Sequence, residues 1–258
     1  MAAPDEILDE IAWFGLVAVI NAPFSGADFI EISDALLAAP LPLVAIAAGT
    51  PDAGDIIASL RARHGANLRV GASHVTTPAA LEAVGDAGAQ FVLGGPPAAA
   101  MVTAARRAGV AYVPHCATSH DVAAARALGC AMLLRVLPDA GAAPVPADWP
   151  TADGPPVLVA GAVTADNIAA IAQGPAVAVA LGYAPLAAGQ WSAAALITQA
   201  RRMRAAWEAA RLAGATRALP GRGRTSSGSA TQCRTGWLTK TPLHSDDLQN
   251  SCAHPTVV

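Results

Sequence analysis

Eight short, nearly unbroken apolar runs recur along this chain, each followed by a stretch with its own helix or turn signals. That alternation leaves few ways to fold. The runs occupy residues 14–20, 42–47, 67–72, 89–93, 110–114, 130–137, 156–160 and 176–181. A strand that is apolar at successive positions is buried on both faces, which is the condition of parallel strands covered by helices. Thr50-Pro51 and Thr77-Pro78 each pair an N-cap threonine with a proline at the first helical position. Thr118 and Thr164 open further helices, and the last helix is expected over residues 191–213. Ile7, Leu8 and Ile11 share one face of a short leading helix over residues 4–12. Between Pro138 and Pro155 the chain is rich in Pro, Ala, Gly and Asp and predicts a loop. Eight strand-then-helix units predict a (β/α)8 TIM barrel. An open doubly wound sheet is the competing arrangement, but no Gly-x-Gly-x-x-Gly loop follows the first strand.

Past the last unit the composition changes. Residues 214–258 are rich in Gly, Ser, Thr and Arg without hydrophobic periodicity, and read as a disordered tail after a barrel of residues 1–213. The tail is basic, with Arg217, Arg222, Arg224, Arg234 and Lys240 against Asp246 and Asp247. The chain as a whole carries −3, which gives no reason to expect nucleic acid as a partner. Residues 1–10 are acidic, unlike a secretory signal, and no apolar run reaches the roughly 18 residues of a membrane span. Cys116, Cys130, Cys233 and Cys252 are scattered without CxxC pairing, which reads as reduced thiols in a cytoplasmic protein.

One charge interrupts the sixth strand near its C-terminal end: Arg135, shortly before Pro138. In barrels of this kind chemistry is done at C-terminal strand ends, so Arg135 is expected at the mouth, paired with an anion or with Asp139. The chain around it carries further framework motifs: Gly15-Leu-Val-Ala-Val-Ile20, Val70-Gly71-Ala72 before Thr77-Pro78, Ala87-Gly-Ala-Gln-Phe-Val92, residues 104–114 and Arg135-Val-Leu-Pro138. Together they resemble the family of 2-keto-3-deoxy-6-phosphogluconate and 4-hydroxy-2-oxoglutarate aldolases, over roughly residues 14–185. The resemblance implies a barrel, usually a homotrimer, that cleaves its substrate through a Schiff base on a sixth-strand lysine in a Lys-Leu-Phe-Pro motif. Arg135 stands at that lysine's position, Ala45 at that of the family's acid/base glutamate, and Gly49 and Asn21 where the family has arginines. A guanidinium stays protonated and is no amine nucleophile. The sole lysine, Lys240, lies beyond the barrel. What is implied is therefore a diverged member without class I Schiff-base cleavage.

The emptied pocket holds residues of its own. Where the family's third strand ends Gly-Ala-Gly-Thr, this chain has Gly71-Ala-Ser73-His74, and where the fifth ends Pro-Gly it has Pro114-His115. The expected catalytic set is His74, His115 and Arg135, imidazoles for acid/base work and a guanidinium for a substrate carboxylate. The family's phosphate loops correspond to Gly161-Ala162-Val163 and Leu181-Gly182-Tyr183. Asn21, Gly161, Ala162, Gly182 and Tyr183 are therefore the expected ligand-binding set. The expected partner is a small anion, a keto acid or a phosphate ester, with no cofactor and no metal. Two alternatives remain beside this reading: a non-enzymatic binding or regulatory barrel, and a metal-dependent lyase using His74 and His115. Cys116, next to His115, suggests a Cys/His nucleophile, but nothing in the sequence sets an orienting group beside it.

Overall fold

All eight apolar runs form strands in the computed structural model, which describes residues 2–21, 24–138, 154–182 and 192–218, the last five as backbone. They are β1 (Leu16–Ile20), β2 (Leu43–Ala47), β3 (Arg69–Ser73), β4 (Phe91–Leu93), β5 (Ala111–Val113), β6 (Leu133–Leu137), β7 (Val157–Gly161) and β8 (Ala176–Gly182). Every pairing is parallel, in the order β5-β4-β3-β2-β1-β8-β7-β6. The two end strands meet through a parallel bridge between His115, just past β5, and Leu134 of β6. Two backbone bonds carry that seam, Leu134 N–H to Pro114 O at 2.8 Å and Cys116 N–H to Leu134 O at 2.9 Å. The sheet closes into the expected (β/α)8 barrel.

The helices are α1 (Pro4–Phe14), α2 (Gly26–Ala38), α3 (Ala53–His64), α4 (Pro78–Asp86), α5 (Ala99–Ala108), α6 (Ser119–Ala127), α7 (Ile168–Ala172) and α8 (Ala193–Ala218). Thr77 and Thr118 cap as expected, accepting from the N–H groups of Ala80 and Asp121 at 3.2 Å each. Thr50 does not. Its N–H bonds Ala47 O and its carbonyl accepts from Ala53, which makes a turn and delays α3 to Ala53, behind Asp52 at φ +55°. Thr164 likewise precedes a turn, and its N–H bonds the Asn167 side chain at 2.8 Å before α7 begins. The final helix runs past its expected end at residue 213, through Ala218. The rest of the expected tail, and residues 139–153 of the expected loop, lie outside the described residues. Among the described residues no helix is long and apolar enough to cross a membrane.

Alternation along each strand sorts the apolar residues into two cores. Leu16, Ala18, Val44, Ile46, Val70, Val92, Leu133 and Val159 face outward onto the helices. Val17, Leu43, Ala45, Phe91, Leu93, Ala111, Val113, Leu134, Leu158, Ala178 and Ala180 fill the barrel. Many interior residues are small, and Phe91 takes up the room they leave. A Cβ on Gly71 would lie 2.6 Å from its ring carbons, so only glycine fits opposite it. The N-terminal end is closed by α1, whose Ile7, Leu8 and Ile11 join the interior core. Arg69, facing inward at the foot of β3, forms a two-pronged salt bridge to Glu10 of α1 at 2.5 and 2.7 Å. With α1 sealing the bottom, the open end is the C-terminal one.

Candidate functional site

A cavity of about 540 Å³ opens at the C-terminal ends of the strands. Its walls are the last inward-facing apolar side chains, Val19, Leu93, Leu134, Val136, Ala160 and Ala180. Polar groups ring it: Asn21 after β1, Ser73, His74 and Thr76 at the end of β3, and His115 after β5. Gly94, Gly95, Gly161 and Gly182 complete the rim with backbone alone. Among the described lining residues there is no lysine, arginine or carboxylate. The arrangement is an apolar pocket with hydrogen-bonding groups and two imidazoles at its edge, suited to a small polar molecule held by one end.

Local backbone geometry places the histidines. Ser73 occupies the inward phase of β3, in register with Ala47 beside it. In an unbroken strand His74 would then face the helices. Its φ of +59° lies in the left-handed region, where a residue with a side chain is strained, and this kink turns it back to line the cavity. His115 continues the inward series Ala111, Val113, and its N–H bonds Gly95 O at 2.8 Å. Between them runs Gly94-Gly95-Pro96, packed tightly against the segment that follows β3, since a Cβ on Gly95 would lie 2.7 Å from Val75 O. The Tyr112 hydroxyl donates to Pro96 O at 2.8 Å and anchors the same loop. Burial pushes the Tyr112 phenol upward, so it stays protonated as this donor.

Arg135 is placed differently from its sequence expectation. It shares the outward phase of Leu133 and Leu137, pairs with Val159 and is not among the cavity-lining residues. Its guanidinium Nη1 donates to Ala117 O on the β5–α6 connection. The inward place at the end of β6 belongs to Val136, 40% exposed at the open mouth. Ala45 is fully buried in the interior core, below the cavity. Asn21, Gly161 and Gly182 do line the cavity, whereas Ala162 does not. The Ala162 carbonyl accepts from Asn167 Nδ2 at 2.6 Å, which ties that turn down. Tyr183 and Asp139 lie outside the described residues.

Cys116 is buried on the helix side and does not line the cavity. Desolvation, with Asp121 and Cys130 adding to it, pushes its thiol up to about 12. Among the described residues no group of three or more His, Cys, Asp or Glu is arranged to hold a metal ion. Thr76, Gly95 and Val136 line the cavity without having been singled out from the sequence. The pair of glycines after the fourth strand would have flagged the loop, whereas the sixth strand is apolar on both faces and carries no sign that Val136 rather than Arg135 turns inward.

Comparison with known proteins adds three findings. The model of the aldolase family described as KDPG and KHG aldolase matches residues 8–147. No curated protein matches the chain. Among solved structures, 2-keto-3-deoxy-6-phosphogluconate aldolase of Zymomonas mobilis superposes with a TM-score of 0.66 at 22% identity, over 76% of this chain and 96% of that one. The same organism's enzyme with 3-phosphoglycerate gives 0.63 at 19% identity, over 79% and 97%. KDPG aldolase of Legionella pneumophila, with pyruvate captured as a covalent carbinolamine, gives 0.58 at 14% identity, over 78% and 97%. Likeness at these identities carries the fold.

Proposed function

Because the chain belongs to the KDPG and KHG aldolase family, we propose that it is a diverged member that binds a small keto acid or phosphorylated compound at the barrel mouth, without Schiff-base cleavage. The observation that supports this is the residue at position 135. An arginine there stays protonated and forms no carbinolamine. Its outward phase takes it away from the cavity, and no lysine occurs before Lys240 to replace it. At position 45, an alanine moves no proton. The relatives from Zymomonas mobilis and Legionella pneumophila hold 3-phosphoglycerate and pyruvate, both small anions with a carboxylate. The cavity's histidines, Asn21 and the bare backbone at Gly161 and Gly182 are donors of the kind such an anion needs.

The test is borohydride reduction of the full chain in the presence of pyruvate, followed by peptide mapping, together with titration calorimetry. The expected result is no adduct on any peptide before residue 219, and a binding heat with at least one of pyruvate, 2-oxoglutarate and phosphate. An adduct on the barrel overturns the loss of Schiff-base chemistry. Absence of heat with all three overturns the ligand class and leaves a barrel with some other role.

A further inference from the structure

The Ser73–His74 pair gives the mouth a chemistry of its own, which rests on the reading that the cavity takes a keto acid. Ser73 is 3% exposed, and its hydroxyl makes one hydrogen bond among the described residues, to His74 Nδ1 at 3.1 Å. A buried hydroxyl whose proton finds no acceptor is unfavourable, so the hydroxyl donates to Nδ1. A neutral imidazole that accepts at Nδ1 carries its hydrogen on Nε2. His74 is thereby fixed as a donor at its free nitrogen. The His115 ring makes no hydrogen bond among the described residues, and His115 is likewise a cavity-lining residue.

The two histidines follow β3 and β5, with β4 between them. Neighbouring strands lie about 4.8 Å apart, so the two backbones stand roughly 10 Å from one another. That separation leaves space between the rings for a molecule of a few carbon atoms. The Gly94-Gly95 loop touches both sides, bonding His115 N–H and pressing on the backbone of Val75, and so fixes the spacing.

We propose that this mouth exchanges the protons beside the carbonyl of a 2-keto acid, His115 acting as base and His74, held by Ser73, donating to the carbonyl oxygen. His115 takes a proton from the carbon next to the carbonyl. The C–H pair becomes the carbon–carbon double bond of the enolate, and the carbonyl π pair moves onto oxygen, which accepts the His74 Nε2–H hydrogen bond. Protonated His115 exchanges with solvent and returns a proton to the same carbon. The keto acid is restored, and neither an amine nor an oxidant takes part.

Two experiments on the full chain test this. The first is 15N NMR of the imidazoles. Neutral His74 is expected to carry its hydrogen on Nε2, to lose that preference in Ser73→Ala and to regain it in Ser73→Thr. A neutral His74 with hydrogen on Nδ1 in the unsubstituted chain overturns the donor role. The second follows the pyruvate methyl signal by proton NMR in D2O, with calorimetry alongside. Exchange should exceed that of an equal concentration of imidazole, and His115→Gln should lower it about 100-fold or more while pyruvate still binds. His115→Asn serves where the glutamine variant does not fold. Ser73→Ala should lower exchange by up to roughly tenfold. Binding of pyruvate without exchange overturns the proposal and leaves the ligand reading intact. No binding of pyruvate, 2-oxoglutarate or phosphate removes the ligand reading and this proposal with it.

Discussion

Cys116 and His115 are neighbours in sequence with opposite surroundings, because consecutive residues leave a strand on opposite sides. The thiol goes under α6, where its Sγ sits 3.8 Å from Pro114 O and burial holds it protonated. Native protein at pH 8 should therefore leave Cys116 unalkylated by iodoacetamide over an hour, and unfolding in guanidinium should release it. Mass mapping reads this directly, and rapid native labelling would contradict the buried thiol. Gly161 is constrained as tightly. At φ +91° with Leu137 O only 2.3 Å from where a Cβ would stand, Gly161→Ala strains the turn and displaces β6. A loss of about 1–3 kcal/mol in denaturant unfolding is expected. The histidines were readable as mouth residues because each replaces a strand-end residue of a recognisable framework. Arg135 was not, since its position along the sixth strand says nothing of its phase, and one residue of phase moves a side chain from cavity to helix layer.

Helix α1 has no strand pair of its own, yet it decides which end of the barrel is open. Ile11 is fully buried in the interior core, and Ile11→Ala should cost about 2–5 kcal/mol in chemical denaturation, because the rigid strand ends leave the space unfilled. A loss under about 1 kcal/mol would mean that α1 merely lies against the barrel. The contact between α2 and α3 carries a pH dependence. His64, 7% exposed at its side chain, lies 2.7 Å from the Ser33 hydroxyl, and desolvation lowers its pKa while Asp34 works in the opposite direction. The unfolded chain takes the proton first, so this stability is present above the usual histidine value of about 6.5 and is lost as pH falls below it towards the folded value. His64→Gln should flatten the fall in melting temperature between pH 7 and 5; an unchanged slope would rule out His64 as its source. The elements themselves were legible from the apolar runs, since burial on both faces leaves no other pattern. Their starts were less so. Thr50 and Thr77 both precede proline, but only Thr77 caps, because the turn at Thr50 bonds back to Ala47 before a helix can begin.

At the scale of the whole barrel, a ligand that binds only the folded chain raises its stability by mass action. The cavity exists only when strand ends distant in sequence come together, so the unfolded chain offers no equivalent site. At a ligand concentration about 100 times the dissociation constant the gain is about 2.7 kcal/mol. For a domain of this size 1 kcal/mol shifts melting by roughly 2–4 °C, so a rise of about 5–10 °C is expected with the keto acid or phosphate that binds. Chloride at matched ionic strength supplies the control, because a screening effect on surface pairs would follow either salt. The variants separate two positions that offer an anion a nitrogen-borne hydrogen, His74 and Arg135. His74→Ala removes a donor at the rim and should shrink the rise, whereas Arg135→Ala should leave it in place, since its guanidinium serves Ala117 O on the outer layer. A rise abolished by Arg135→Ala and untouched by His74→Ala would return the anion to the sixth strand and refute the placement of the site between the third and fifth.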